Sequence, residues 1–259
     1  MCELLGLTFN VPVRPEISFR GFMRRGRSNP HGWGLALYPD GKAAQVFKEP
    51  VEADESPLAG FLRDNPRLES PIFIGHVRVA SSGGHFYRNT HPFERALGGR
   101  NWVFAHNGTL RNFGKAGGGK FAPLGETDSE WAFCRILDWV DKEAAGPWTS
   151  KAYKALAELL GELNELGALN VLMSDGERLF CYHDRGGCNG LCYVRRQYDQ
   201  TWIKLADEDW EVDLGRIKKP GQKGYVIATK PLTDEEWVEF AGGQLIVFRK
   251  GGIAYTGSA

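Results

Sequence analysis

The sequence lacks an excess of charge of either sign. Its 259 residues carry 32 Lys and Arg residues and 32 Asp and Glu residues, so the formal net charge is zero. Proteins that bind nucleic acid usually have a basic face and a high pI, and membrane-surface anchors have a polybasic segment. The charge balance therefore argues against nucleic acid and a membrane surface as partners.

Long apolar segments and an export signal are missing as well. No run reaches the roughly 18 apolar residues of a membrane-spanning helix. The start, Met1-Cys2-Glu3-Leu4-Leu5-Gly6, has neither the basic region nor the apolar core of a secretory signal. Five cysteines in such a chain are expected to be free thiols in a reducing compartment, so the expected location is cytoplasmic.

What is present predicts a core built from many short strands. Hydrophobic residues make up 42% of the chain, and 33 glycines are spread along it as turn residues. Pro12 and Pro15 are expected to end the first strand, before a short helix. Strands are predicted at residues 3–9, 34–38, 44–48, 71–77, 101–106, 169–173, 179–183, 201–205, 224–229 and 245–249.

Two longer helices are predicted in the middle of the chain. Thr127 and Glu130 have capping-box spacing and open a helix over residues 128–143, and a second helix follows Ser150 and stops near Gly167. The order of strands, two helices and strands lacks the alternation of a parallel α/β fold. It predicts an α+β fold of two antiparallel sheets with helices outside, in one domain over residues 2–259.

Cys2 is notable because it directly follows the initiator Met. Removal of Met1 would leave one residue with both a thiol and a free α-amine. Such an amine has a reference pKa of about 7.7–8.0, so part of it is neutral near pH 7 and can take the thiol proton without a histidine. The alternative is a small buried hydrophobic residue at a sheet edge.

A Ser- and Gly-rich loop follows the predicted strand 71–77. Arg78 at its start offers a bidentate guanidinium, and Ser81 and Ser82 offer hydroxyl donors, which together suit a carboxylate. An ordinary surface arginine beside a turn is the alternative. His91 could add a donor to this set or pack against the proline that follows it.

Two further segments offer polar groups at the ends of predicted elements. His106-Asn107-Gly108 ends a strand, and an Asn amide beside a flexible backbone N–H can form an oxyanion hole, although Asn-Gly is also a common turn. Asp128 lies in the first helical turn. It can bind a substrate ammonium there, or it can complement the helix dipole.

Taken in order, these segments resemble the class II glutamine amidotransferases, and most closely their stand-alone YafJ-type branch. The resemblance runs from residue 2 to about residue 250, and the combination of motifs is specific although no single motif is. The motifs are Cys2, His76-x-Arg78-x-Ala80-Ser81, Thr90-His91-Pro92-Phe93, His106-Asn107-Gly108 and Glu126-Thr127-Asp128-Ser129-Glu130, with further matches at Asn29–Ala36, Ala168–Asn170, Ser174–Gly176 and Val226–Leu232.

The resemblance implies an N-terminal-nucleophile hydrolase fold, a four-layer αββα sandwich with two stacked antiparallel sheets. It implies that Cys2, freed by removal of Met1, attacks the side-chain amide of glutamine, with its own amine as base and then acid. The γ-glutamyl thioester is then hydrolysed. Asn107 and the Gly108 backbone would hold the oxyanion. The substrate-binding residues implied are Arg78, Ser81, Ser82 and His91 for the α-carboxylate, Asp128 for the α-ammonium, and His106.

The chain departs from the family pattern in two places. Ser81-Ser82 stands where sugar- and purine-pathway relatives have Thr-His, so carboxylate recognition is expected to differ in detail. The Gly- and Cys-rich segment Arg185–Cys192 has no role in the pattern. Because Cys181, Cys188 and Cys192 lack a Cys-x-x-Cys pair and a clear fourth ligand, no metal site and no cofactor are predicted.

Glutamine is the leading substrate. The 259 residues are expected to form one amidotransferase domain without a synthase, so any ammonia acceptor is expected on a separate protein. A γ-glutamyl conjugate other than glutamine is an alternative substrate. Two other classes of protein stay open: a non-catalytic glutamine or γ-glutamyl sensor that retains Met1, and a cysteine-dependent acylase for another amide, which would not need Arg78 and Asp128.

Overall fold

The computed structural model describes residues 1–80, 83–114, 119–197, 202–216 and 219–258. No helix in these ranges combines the length and apolar composition needed to cross a membrane. The helices are α1 (Glu16–Arg24), α2 (Pro57–Asp64), α3 (Asp128–Glu143) and α4 (Ser150–Asn164). The strands are β1 (Glu3–Val13), β2 (Trp33–Leu37), β3 (Gln45–Glu49), β4 (Ser70–Val77), β5 (Phe93–Leu97), β6 (Arg100–Leu110), β7 (Gly167–Ser174), β8 (Arg178–Tyr182), β9 (Cys192–Gln197), β10 (Trp202–Lys204), β11 (Glu211–Asp213), β12 (Lys223–Ala228), β13 (Val238–Glu239), β14 (Gln244–Arg249) and β15 (Gly252–Ser258).

Two large sheets contain most of the strands. The first has the order β13-β9-β12-β1-β4-β2-β3, and the second has the order β15-β14-β8-β7-β6-β5. Neighbouring strands are antiparallel in both sheets. β10 and β11 form a separate two-stranded sheet. The α+β class predicted from the order of elements is confirmed.

The two large sheets stack face to face over a buried apolar layer. Leu4 and Ile74 of the first sheet and Leu172 and Leu179 of the second belong to one buried cluster. A Cβ at Gly6 would lie 3.2 Å from the side chains of both Leu172 and Leu179, so the sheets approach closely there. This layer holds the two sheets in a fixed relation.

The helices cover the outer faces of the sheets. Side chains of α1 and α2 pack into the core outside the first sheet, and those of α3 and α4 pack outside the second. Their buried apolar residues lie along one side of each helix, as in any amphipathic surface helix. The result is the four-layer αββα sandwich that the resemblance implied.

The start of α3 follows the predicted cap. The Thr127 hydroxyl accepts the backbone N–H of Glu130 at 3.2 Å, which satisfies one of the free donors of the first turn. The Glu130 side chain turns elsewhere: one carboxylate oxygen accepts the Gly125 N–H at 2.7 Å, and the other pairs with Arg95. Glu130, the acid of the predicted capping box, therefore holds the loop before α3 in place.

The first strand is longer than predicted. Pro12 does not end it, because β1 continues to Val13 across a register shift that follows Thr8. An irregular stretch of ladder leaves some backbone N–H groups unpaired, so a proline is accommodated there. The strand predicted at 201–205 is Trp202–Lys204, and Thr201 lies outside the described residues.

We expect Leu172→Ala to lower the free energy of unfolding by about 2–5 kcal/mol, because it opens a cavity between the sheets. The same change at Leu124, which is 76% exposed, is the matched control. Leu124→Ala should stay within about 0.5 kcal/mol of the unmodified protein. Chemical denaturation measures both, and equal effects would contradict the packing described here.

Candidate active site

Cys2 directly precedes β1, the central strand of the first sheet. Glu3 pairs with Val77 of β4, so Cys2 lies next to the chain that leaves β4. The backbone of Val79 holds the thiol on two sides. Its N–H donates to Sγ at 3.2 Å and its carbonyl oxygen accepts from Sγ at 3.3 Å. The sulfur therefore has a defined position.

Burial raises the pKa of the Cys2 thiol above its ordinary value. The N–H of Val79, the positive charge of Arg78 and the amino terminus all lower that pKa, but together they do not offset the loss of hydration. The thiol is therefore mostly protonated near neutral pH. Attack by this sulfur requires a base that removes its proton.

The turn at residues 29–32 holds the strand end that carries Arg78. The Arg78 N–H donates to the Gly32 carbonyl at 2.7 Å, and the His31 N–H donates to the Arg78 carbonyl at 3.0 Å. The His31 ring accepts the Ala80 N–H through Nδ1 at 3.0 Å. His31 therefore positions the backbone around the thiol, a role that the sequence analysis did not assign.

The Arg78 side chain is a buried cation beside the loop that follows β4. It is 3% exposed, and its guanidinium donates to the carbonyls of Gly84 and Gly83 at 3.3 and 3.4 Å. Burial lowers the pKa of Arg78, whereas Cys2 in its thiolate form and the charge of Asp128 raise it. These three groups therefore share one electrostatic environment. Ser81 and Ser82, the other predicted carboxylate donors, lie outside the described residues.

Asp128 connects the start of α3 to the strand that carries the predicted oxyanion residues. It is the first residue of α3 and is 3% exposed. Its Oδ2 accepts the backbone N–H of Leu110, the last residue of β6, at 2.7 Å. This contact fixes a carboxylate beside the end of β6.

Asn107 and Gly108 lie in β6, within the second sheet. The Asn107 amide nitrogen is 3.4 Å from the hydroxyl of Thr229, and that hydroxyl also accepts the N–H of Leu4 at 2.9 Å. Thr229 therefore joins the first sheet, close to Cys2, to the oxyanion candidate in the second. A Cβ at Gly108 would lie 2.0 Å from the Ala168 carbonyl oxygen, so this position requires glycine.

A cavity of about 500 Å³ brings these groups together. Its lining includes Cys2, Asn107 and Gly108, but not Arg78 or Asp128, as far as the described residues show. In the same part of the chain, no group of three or more His, Cys, Asp or Glu is arranged to hold a metal ion. The lining residues are Met1, Cys2, Val79, Asn107, Gly108, Thr109, Arg111, Glu165, Leu166, Gly167, Ala168, Cys188 and Asn189.

His91 and His106 are buried outside this lining. The two ring nitrogens of His106 lie 2.8 Å from the Ser129 hydroxyl and 3.1 Å from the Ala168 carbonyl. His91 stacks on His76 at 4.1 Å, and neither of its ring nitrogens has a hydrogen-bond partner among the described residues. Burial lowers the pKa of both His91 and His106, so both rings are neutral near pH 7. Their substrate-binding roles stay predictions.

Comparison with known proteins gives consistent matches over the whole chain. The family model described as class-II glutamine amidotransferases matches residues 1–259. An uncharacterized protein of Methanocaldococcus jannaschii is 42% identical over 256 residues, which cover 99% of this chain and 71% of that protein. YafJ of Escherichia coli is 38% identical over 255 residues, which cover 96% of this chain and 97% of YafJ.

Solved structures agree with these matches. A 2.0 Å crystal structure from Pseudomonas aeruginosa, described as a predicted glutamine amidotransferase, has a TM-score of 0.72 and 32% identity, and the match covers 98% of this chain and 100% of that one. The glutamine phosphoribosylpyrophosphate amidotransferase of B. subtilis has a TM-score of 0.65 and 19% identity, covering 99% of this chain and 49% of that one. The second match shows the fold alone.

The raised pKa of Cys2 predicts how the Met1-bearing chain reacts with iodoacetamide. Alkylation at Cys2 should be slow near pH 7 and should rise with pH through a midpoint above that of a free thiol. Arg78→Met should move that midpoint higher, because Arg78 lowers the pKa of this thiol. Mass spectrometry of the N-terminal peptide, in a Cys188→Ser background, gives the rates. A midpoint below that of a free thiol would contradict the environment described here.

Proposed function

Because this chain belongs to the class-II glutamine amidotransferases, we propose that it cleaves the γ-amide of glutamine at Cys2 and releases ammonia. One observation carries the proposal: Cys2, Asn107 and Gly108 line a common cavity. The positive charge of Arg78 lowers the pKa of the Cys2 thiol, and the charge of Asp128 raises the pKa of Arg78. Arg78 therefore supplies a cation next to that cavity. A nucleophile, oxyanion donors and a pair of opposite charges are what hydrolysis of a zwitterionic amide requires.

The active species is the chain without Met1. The Met1 residue is 74% exposed and lines the cavity, so an aminopeptidase can reach it. Its removal leaves Cys2 with a free α-amine, for which the reference pKa is about 7.7–8.0. The base that the protonated thiol needs is then carried by the same residue.

In the first half of the reaction, the α-amine takes the Sγ proton and Sγ bonds to the amide carbon. The carbonyl oxygen becomes an oxyanion that the Asn107 amide and the Gly108 N–H stabilise. The α-ammonium then gives its proton to the departing nitrogen, the C–N bond breaks, and ammonia and a γ-glutamyl thioester are formed. Water adds to the thioester with the amine again as base, and glutamate leaves as the C–S bond breaks.

Arg78 and Asp128 are proposed to hold the α-groups of the substrate. The guanidinium of Arg78 donates to carbonyl oxygens at 3.3 and 3.4 Å, and a guanidinium can bind a carboxylate through two charge-assisted hydrogen bonds. Asp128 offers its charge to the α-ammonium. Ser81, Ser82 and His91 remain proposed carboxylate donors. His106 remains a proposed site residue, and its engaged ring nitrogens hold β6 in place.

A γ-glutamyl conjugate is the second candidate substrate. The cavity of about 500 Å³ at Cys2 is large enough to admit a leaving amine larger than ammonia. If glutamine is the substrate, we propose that the ammonia acceptor is bound by a separate protein.

The central test is hydrolysis of glutamine by the chain without Met1, with intact mass to verify processing. We expect glutamate and ammonia in equal amounts, and no activity in Cys2→Ala because the nucleophile is absent. Cys134→Ala, the same change at a buried cysteine of α3, should retain activity. Full activity in Cys2→Ala would contradict the mechanism. If the chain keeps Met1 and binds glutamine without turnover, that result would indicate the non-catalytic glutamine or γ-glutamyl sensor.

Arg78→Met tests the carboxylate contact. The KM for glutamine should rise by about 10- to 100-fold, because a hydrogen bond to a charged group contributes about 1.5–3 kcal/mol. Steady-state kinetics on glutamine and on a panel of γ-glutamyl amides measures this change, and the panel identifies the preferred leaving group. Unchanged kinetics would favour an acylase for a different amide.

A further inference from the structure

The segment Arg185–Cys192, which had no role in the sequence pattern, lies at the active-site cavity. It connects β8 to β9, and Cys188 and Asn189 line the cavity together with Cys2. The segment is therefore close enough to act on the reacting groups.

Two polar side chains fasten this segment to the second sheet. The carboxylate of Asp184 accepts the N–H groups of Leu169 and Cys188 at 2.9 and 3.0 Å. The amide nitrogen of Asn170 donates to the carbonyls of Cys188 and Asn107 at 2.8 and 3.0 Å. A single amide group thus joins the segment to the backbone of the oxyanion candidate.

Asn189 completes the connection through its side chain. Its Nδ2 donates to Oδ1 of Asn107 at 2.9 Å. The backbone of Asn189 is left-handed, with φ of 66°, a conformation that asparagine tolerates better than most residues. The residue is therefore suited both to the turn and to the contact.

We propose that Asn189 is a positioning residue that orients the Asn107 amide so that its N–H groups serve the oxyanion. This inference rests on the proposed function, in which the Asn107 nitrogen donates to the oxyanion. A primary amide has a donor end and an acceptor end of similar shape. If it turned over, an oxygen would face the developing negative charge. The Asn189 Nδ2 group donates to Oδ1 of Asn107 and so favours the orientation in which the Asn107 N–H groups face the oxyanion.

Two substitutions at Asn189 separate orientation from packing. Asn189→Asp keeps the shape but can only accept, so it draws the Asn107 nitrogen toward itself and reverses the amide. We expect its kcat on glutamine to fall about 10²- to 10³-fold with little change in KM, as for loss of an oxyanion donor. Asn189→Gly removes the side chain, tolerates the positive φ, and should lose only about 10-fold.

The order of the two variants identifies the role. A packing role would make the isosteric Asp variant the milder one. If kcat of Asn189→Asp equals that of the unmodified protein, the proposal is overturned. That result would mean that the Asn189 side chain accepts a hydrogen bond from the Asn107 amide nitrogen. Arg185→Gln is the matched control in the same segment: it removes an exposed ion pair with Glu165 and should leave kcat unchanged.

A second measurement does not depend on turnover. The side-chain NH₂ resonances of Asn107, assigned from their loss in Asn107→Asp, should shift in Asn189→Asp and Asn189→Gly but not in Arg185→Gln. Unchanged resonances in both Asn189 variants would overturn the positioning role. If the processed protein cleaves no γ-glutamyl amide, the proposed function fails, while these spectra still decide whether Asn189 orients Asn107.

Discussion

The apolar layer between the two sheets fixes the distance between the proposed nucleophile, Cys2, and the proposed oxyanion donors, Asn107 and Gly108. Cys2 precedes a strand of the first sheet, and Asn107 lies in a strand of the second. The layer that includes Leu4 and Leu172 keeps these sheets together, and Thr229 bridges them with one hydroxyl. Because catalytic groups must be held within about 0.5 Å of their productive positions, close packing between the sheets is a requirement of the chemistry as well as of stability.

Backbone groups and amide side chains do most of the positioning at this site. Val79 holds the sulfur with its N–H and its carbonyl, and Asn170 and Asp184 satisfy the backbone of the turn that reaches Asn107. Asn107 and Asn170 are buried, and leaving a buried polar group unpaired costs about 1–3 kcal/mol. Each of these contacts therefore stabilises the turn and the strand in one arrangement. The proposed reacting groups, the Cys2 sulfur and the Asn107 amide, are held in defined positions as a result.

The sequence predicts elements well where one local signal is strong. The Thr127 cap places the start of α3, and apolar runs place the cores of β4, β6 and β7. It fails where the signal is tertiary: β9 begins at the end of a Gly- and Cys-rich segment, and the last strand, β15, is mostly exposed and is held by pairing with β14. The strand pairing that brings them into sheets is not encoded in local periodicity.

The site shows the same division. The chemical types of Cys2, Arg78, Asn107 and Asp128 can be recognised from the chain, because their chemistry depends on residue type. The parts played by His31, Thr229 and Asn189 depend on contacts between distant segments, such as the 82-residue separation of Asn189 and Asn107. No local pattern carries such a contact, so these residues become visible only in the folded molecule.

Charge recognition and choice of leaving group lie on different parts of the site. In the proposed function, Arg78 and Asp128 read the α-carboxylate and α-ammonium, which glutamine shares with every γ-glutamyl amide. These charges favour a zwitterionic end and cannot distinguish one leaving amine from another. In that function, discrimination between amines falls to the cavity lining beside the sulfur, where Arg111 offers an exposed charge. The zero net charge of the chain is consistent with this division, because each charge of the proposed ligand is paired with a single residue: the α-carboxylate with Arg78 and the α-ammonium with Asp128.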